Sequence, residues 1–216
     1  MNSDFTRLLT SLAADRHDLF LSTAARLGTT VQNVEKDFWV CWTLDALFNG
    51  LEPGGPRLLF KGGTSLSKGY GLIERFSEDI DITVFREDID APASVADLEA
   101  LSRKRRDRRL DNIRKACRAF IGGTLKTQLE GLAAGLPIIG GQLRVTLDGD
   151  DADGQTLLLE YPAVSDQDQY LHPAVKIEAG AKSALDPHTP LSVRPYVASD
   201  LPGFDLTVPN VTTVDP

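Results

Sequence analysis

The sequence predicts an α/β (α+β) chain: a mixed β-sheet with flanking helices, entered through an N-terminal helical lead. Three observations carry that expectation. Apolar residues recur at helical spacing through positions 1–50, a strand–glycine turn–helix–strand unit follows between Arg57 and Phe85, and beyond Gly135-Leu136-Pro137 the pattern changes to short β-rich runs. At 216 residues and 23.5 kDa the chain can bury a sizeable core. It is expected to divide into a helical segment over 1–50 that packs on a core over 51–216.

From Phe5 to Arg26 the residues Phe5, Leu8, Leu9, Leu12, Leu19 and Phe20 make one helix or two short ones, with Gly28 as the stop. Thr29 and Thr30 then cap a stronger helix whose apolar stripe is Val31, Val34, Phe38, Cys41, Leu44 and Phe48, ending at Asn49-Gly50. Trp39 and Trp42 on that helix read as packing residues. After the Pro53-Gly54-Gly55-Pro56 turn, Arg57 to Phe60 is a short strand, Lys61-Gly62-Gly63 breaks it, and Thr64 to Tyr70 forms a short helix before Gly71. Asp79 to Val84 alternates polar and apolar residues and runs on into Phe85, the pattern of a strand buried on one face.

A polar connection from Arg86 to Ala96 leads into a very basic helix from Val95 to Phe120, which Gly122-Gly123 interrupts. Strands are expected over Gln142–Leu147, Thr156–Tyr161, Ala174–Ala179 and Leu191–Val197. The acidic run Gly149 to Gly154 lacks the closing Glu of a calcium loop and reads as a solvated hairpin tip. Val208 to Pro216 reads as a connection toward a further element.

Composition excludes several classes. No stretch of eighteen uncharged apolar residues exists, and the start carries Asp4, Arg7, Asp15 and Arg16 in place of a secretory signal, so a cytoplasmic protein with no membrane partner is expected. Cys41 and Cys117 show no CxxC spacing, and His17, His172 and His188 are scattered, which gives no zinc pattern. The net charge of −8 argues against a whole-surface nucleic-acid binder and leaves room for a local basic stripe.

The chemistry is concentrated in Phe60-Lys61-Gly62-Gly63-Thr64-Ser65-Leu66 and Arg75-Phe76-Ser77-Glu78-Asp79-Ile80-Asp81-Ile82. Two glycines after a strand let backbone approach phosphate, and the Thr64 and Ser65 hydroxyls offer donors to its oxygens. Lys61 adjoins the turn and can reach a phosphate, as can Lys68. Asp79 and Asp81, two apart on a strand, project from one face and can share hard divalent cations. A glycine pair or a DxD alone also fits an ordinary turn or two solvated strand carboxylates. Their ordered combination is far more specific.

On these residues, together with Val34-Glu35-Lys36-Asp37-Phe38-Trp39-Val40 and Val175-Lys176-Ile177-Glu178-Ala179, the sequence resembles the nucleotidyltransferase toxins of the AbiEii/AbiGii type. These belong to type IV toxin–antitoxin and abortive-infection systems. The resemblance implies a nucleotidyltransferase fold of the DNA polymerase β type. It implies transfer of a nucleoside monophosphate from a nucleoside triphosphate to a hydroxyl acceptor such as tRNA, magnesium (Mg2+) as cofactor, and a cognate antitoxin. It assigns Asp79 and Asp81 to magnesium, Glu178 to the third acidic position, and Lys61, Gly62, Gly63, Thr64, Ser65 and Ser77 to the nucleotide. Strand periodicity alone leaves Glu178 open between that role and an exposed strand carboxylate. The family pattern also continues into a C-terminal helical region with a lysine and a further aspartate, which these 216 residues are expected to lack.

The basic helix gathers nine of the 23 lysines and arginines, among them Arg103, Arg105, Arg106 and Arg109. It reads either as a solvated face or as a local field for an RNA backbone, without the interleaved aromatics of a stacking platform. Two other functions compete: a non-catalytic binding or regulatory protein on the same fold, and a small-molecule (antibiotic) nucleotidyltransferase. The intact glycine pair and DxD disfavour the first, and the arginine cluster disfavours the second.

Overall fold

The computed structural model describes residues 1–73, 76–77, 79–166, 172–181 and 186–216. Arg75 and Glu78 of the quoted motif lie outside the described residues. Helix α1 (Ser3–Leu9) is capped by the Asn2 side chain, and α2 (Ala13–Leu27) stops at Gly28, whose φ of 66° needs no Cβ to be accommodated. The Thr30 hydroxyl caps α3 (Val31–Asp45) by accepting from the Asn33 N–H at 3.2 Å. Every residue of α3 from Val34 to Asp45 is buried, charged ones included, because the sheet lies on one side of it and α2 and the following segments cover the rest.

Seven strands form one mixed sheet: β1 (Leu58–Lys61), β2 (Ile80–Val84), β3 (Arg144–Leu147), β4 (Thr156–Glu160), β5 (Ala174–Gly180), β6 (His188–Val193) and β7 (Val208–Val214). Their spatial order is β3-β4-β5-β2-β1-β7-β6, so the expected mixed α/β architecture is what the chain adopts. The central pairs β2–β5 and β1–β7 are parallel, and β1–β2, β3–β4, β4–β5 and β6–β7 are antiparallel. Ile80, Ile82 and Val84 of β2 enter the main core with Val175 and Ile177 of β5. Against them stand Phe38 and Trp39, with Trp39 stacked on Tyr161 at 5.3 Å between ring centroids. Both tryptophans are packing residues, as their helical position predicts.

Three sequence expectations change. Val208–Val214 is an inner strand and not a connection. Gly122-Gly123 does not break the helical run: α6 (Arg103–Phe120) widens over Ile121–Leu125 and continues into α7 (Lys126–Ala134). The basic segment instead breaks earlier, where α5 (Val95–Glu99), closed by a Ser94/Asp97 capping box, is separated from α6 at Ala100–Ser102.

Candidate active site

Strand β1 ends at Lys61, and the chain then turns at Gly62 with φ of 77° into the short helical turn α4 (Gly62–Thr64). A Cβ at Gly62 would lie 2.0 Å from Asp81 Oδ2, so backbone conformation and the neighbouring carboxylate both require glycine there. The turn then widens over Ser65–Gly69, closing with the Tyr70 N–H donating to the Ser65 carbonyl at 3.2 Å.

The hydroxyls of this segment are committed internally. Thr64 Oγ1 donates to the Asp79 carbonyl at 2.5 Å and lies 2.7 Å from Ser77 Oγ, while Ser65 Oγ donates to the Gly62 carbonyl at 2.8 Å. Thr64 and Ser65 are buried, and Ser77 is half-buried. These bonds tie the glycine turn to the start of β2 and so fix where Asp79 sits. Gly63, half-buried inside α4, does not share the positive φ of Gly62.

Strand register builds the acidic row. Asp81 pairs across β1–β2 with Lys61 and across β2–β5 with Glu178, and Glu178 pairs across β4–β5 with Thr156. Directly opposed residues share a sheet face, so Lys61, Asp81, Glu178 and Thr156 form one line across four strands. Asp79, two residues before Asp81, shares its side of the chain. The structure therefore brings together Lys61, Gly62, Asp81 and Glu178, with Asp79 next to them.

Lysines neutralise this row. Lys61 Nζ stands 3.4 Å from Asp81 Oδ1, and Lys176 Nζ stands 2.9 Å from Glu178 Oε1 and 3.8 Å from Asp148 Oδ2. The hydrogen bond to Glu178 and the surrounding carboxylates Asp148 and Asp79 hold the Lys176 ammonium above its usual pKa. Among the described residues no group of three or more His, Cys, Asp or Glu is gathered to hold a metal ion. The donor chemistry of Asp79, Asp81 and Glu178, carboxylate oxygens from adjacent strands, nevertheless suits a hard divalent cation. An ion engaged by Asp81 and Glu178 would compete with the Lys61 and Lys176 ammonium groups for these carboxylates.

The sequence matches, over residues 45–215, the family described as nucleotidyl transferase AbiEii toxin, type IV TA system. The chain belongs to this family. Among solved structures it is similar to MenT4, a nucleotidyltransferase toxin from Mycobacterium tuberculosis H37Rv, at 18% identity and a TM-score of 0.45, covering 91% of this chain and 54% of that one. The chain thus spans about half the length of the MenT4 structure. No curated protein matches it.

Two features of this AbiEii-family chain depart from the sequence reading: Lys68, expected to reach a phosphate, is committed to a buried ion pair, and Lys176 had no assigned role. The first lies behind the glycine turn, Lys68 Nζ with Asp37 Oδ1, whose side chains are 8% and 1% exposed. Lys68 also donates to the Arg194 carbonyl at 3.1 Å and stands 3.7 Å from the Tyr196 ring centroid, and Asp37 accepts the Tyr196 N–H at 2.7 Å. Burial pushes the Asp37 carboxyl above the usual carboxylate range, against the opposing pull of Lys68. The second is Lys176. Its signal was legible, since period-2 alternation puts Lys176 on the face of Glu178.

The basic helix is not a single charged face. Arg103, Arg105, Arg106 and Arg108 are exposed and carry no ion pair among the described residues, whereas Arg109 donates to the Pro92 carbonyl and Arg114 and Lys115 pair with Asp111. Leu110, Ile113 and Cys117 face inward. Among the described residues no helix is long and apolar enough to cross a membrane.

Proposed function

We propose that this chain carries a nucleotidyltransferase site that transfers a nucleoside monophosphate from a nucleoside triphosphate to a hydroxyl of RNA, such as a tRNA end. The observation that carries the reading is the register: Asp81 faces Glu178 on the neighbouring strand, immediately beside a turn that only glycine can make. Asp79 and Asp81 would hold magnesium, and the Gly62-Gly63 turn with Lys61 would receive the phosphates. Magnesium, when bound, supplies charge neutralisation at the reacting phosphate.

The chain's own groups do the remainder. The acceptor oxygen forms a bond to the α-phosphorus as the bond to the β-phosphate oxygen breaks, and pyrophosphate leaves. Glu178, opposite Asp81, takes the proton of the attacking hydroxyl. Lys61, displaced from Asp81, moves its charge toward the phosphates, while Thr64 and Ser77 keep Asp79 in place. The exposed arginines of α6 supply a field for the RNA backbone, a cognate antitoxin is the protein partner, and the cytoplasm is the working compartment.

Calorimetric titration with magnesium and nucleoside triphosphate tests the site. Asp79→Ala/Asp81→Ala should abolish magnesium-dependent nucleotide binding; equal affinity in wild type and double variant would remove the site from this place. A second reading, a non-catalytic binding protein, draws on the Lys61–Asp81 and Lys176–Glu178 pairs, which satisfy the carboxylates without a metal. Nucleotide binding that ignores magnesium, with no label passed from an α-phosphate to RNA, would favour it.

A further inference from the structure

Arg86 is a buried cation that, among the described residues, touches no carboxylate within ion-pair distance. It lies two residues past the end of β2, at the start of the helical turn Arg86–Ile89, and is 6% exposed. Its Nε donates to the Ala181 carbonyl at 2.7 Å and its Nη1 to the Ala93 carbonyl at 3.2 Å. Both acceptors are neutral, and among the described residues Arg86 makes no ion pair and its Nη2 no hydrogen bond. An arginine stays protonated under all ordinary conditions, so a full charge is held largely out of water, bound to two carbonyl dipoles and with Glu87 as a charged neighbour.

That side chain lines a recess of about 570 Å³ between α6 and the end of β5, within the size range of small-molecule sites. Leu110 and Ile113 form an apolar wall, and Arg114 stands on the same helix. Ala179 and Gln155 line both this recess and the adjoining one of about 300 Å³ that contains Glu178. The two recesses therefore adjoin, and the second holds Glu178 together with Asp148, Asp150, Asp151 and Asp153.

We infer that the Arg86 recess is a nucleotide subsite for the RNA acceptor: Arg86 takes a backbone phosphate and the Leu110–Ile113 wall takes the attached sugar or base. Asp107 and Asp153, exposed residues that also line the recess, repel a free small anion and accept hydrogen bonds from hydroxyl or amino groups. The lining thus suits a phosphate carried on a nucleoside better than inorganic phosphate. This inference rests on RNA being the acceptor, and it leaves the triphosphate site at Gly62-Gly63 untouched.

The test is binding of a single-stranded RNA trinucleotide to the full chain, read by fluorescence anisotropy, beside calorimetric titration of nucleoside triphosphate with magnesium. Arg86→Gln should weaken trinucleotide binding about tenfold or more, the loss expected for a charged hydrogen bond. Arg114→Glu, an exposed change that leaves the Arg86 bonds in place, should weaken it several-fold, and neither should move triphosphate affinity. If Arg86→Gln loses its cooperative melt, the Arg114→Glu result decides. Undetectable trinucleotide binding by wild type, or equal affinity in the folded variants, would overturn the subsite while leaving the triphosphate reading to stand on its own titration. Displacement of the trinucleotide by equimolar inorganic phosphate or pyrophosphate would also overturn it, since the recess would then be a general anion site.

Discussion

Replacing Asp37 by Asn removes one charge from the most deeply buried ion pair among the described residues and leaves its shape almost unchanged. The side chains of Asp37 and Lys68 are 1% and 8% exposed, so water cannot replace the lost carboxylate. Breaking such a pair by removing one partner costs about 3–5 kcal/mol. Lys68 keeps the Arg194 carbonyl and the Tyr196 ring, and the Asn oxygen can still accept the Tyr196 N–H, so the lower end, about 3 kcal/mol, applies. For a domain of this size that is a fall in Tm of roughly 6–12 °C. Urea denaturation followed by circular dichroism measures it. The double variant Asp37→Asn/Lys68→Met should be more stable than Asp37→Asn alone, because no charge is then left buried. A single-variant loss below about 0.5 kcal/mol, or a double variant whose cost is the sum of the two singles, would refute the reasoning. The pair joins α3 to the segment after the glycine turn, so the same variant should also weaken nucleotide binding through displacement of that turn.

Gly62→Ala should lose magnesium-dependent nucleotide binding and cost about 1–2 kcal/mol in stability, since the new methyl group meets Asp81 Oδ2 and the residue stays at positive φ; full binding by calorimetry would count against the turn. Replacing Arg103, Arg105 and Arg106 by Gln should flatten the salt dependence of tRNA binding by a slope of roughly 2–3, and equal slopes would make the helix a solvated face only. Hydrogen bonds from Arg26 and Thr23 hold the Asp200 carboxyl below the usual carboxylate range, so the folded chain gives up this proton at lower pH than the unfolded chain. That stabilisation, under about 1 kcal/mol for so exposed a pair, is present above the unfolded pKa of about 4 and is lost as pH falls through the lower folded value. Wild type should therefore lose stability relative to Asp200→Asn between about pH 5 and pH 3 in urea melts, and parallel losses would show that the hydrogen bonds contribute nothing.

The local pattern alone determined the parts whose information is local. Two glycines between a strand and a helical turn, and carboxylates two apart on an alternating strand, follow from residue spacing, and so did the helices with their caps and stops at Thr30 and Gly28. Only the tertiary structure decided which residues meet across the sheet, because register is a property of two strands at once. Glu178 could be read from its own strand either as a third acidic position or as an exposed carboxylate; the parallel pairing of β5 with β2 is what sets it against Asp81. Strand β7 was hidden by Pro209 and Asn210, which ordinarily mark a loop; β1 meets β7 at Thr213, so Pro209, which has no N–H, falls outside that pairing. Asp37 with Lys68, and Arg86 with its recess, were hidden for the same reason: a charged residue looks solvated in sequence, and only packing of distant segments removes its water.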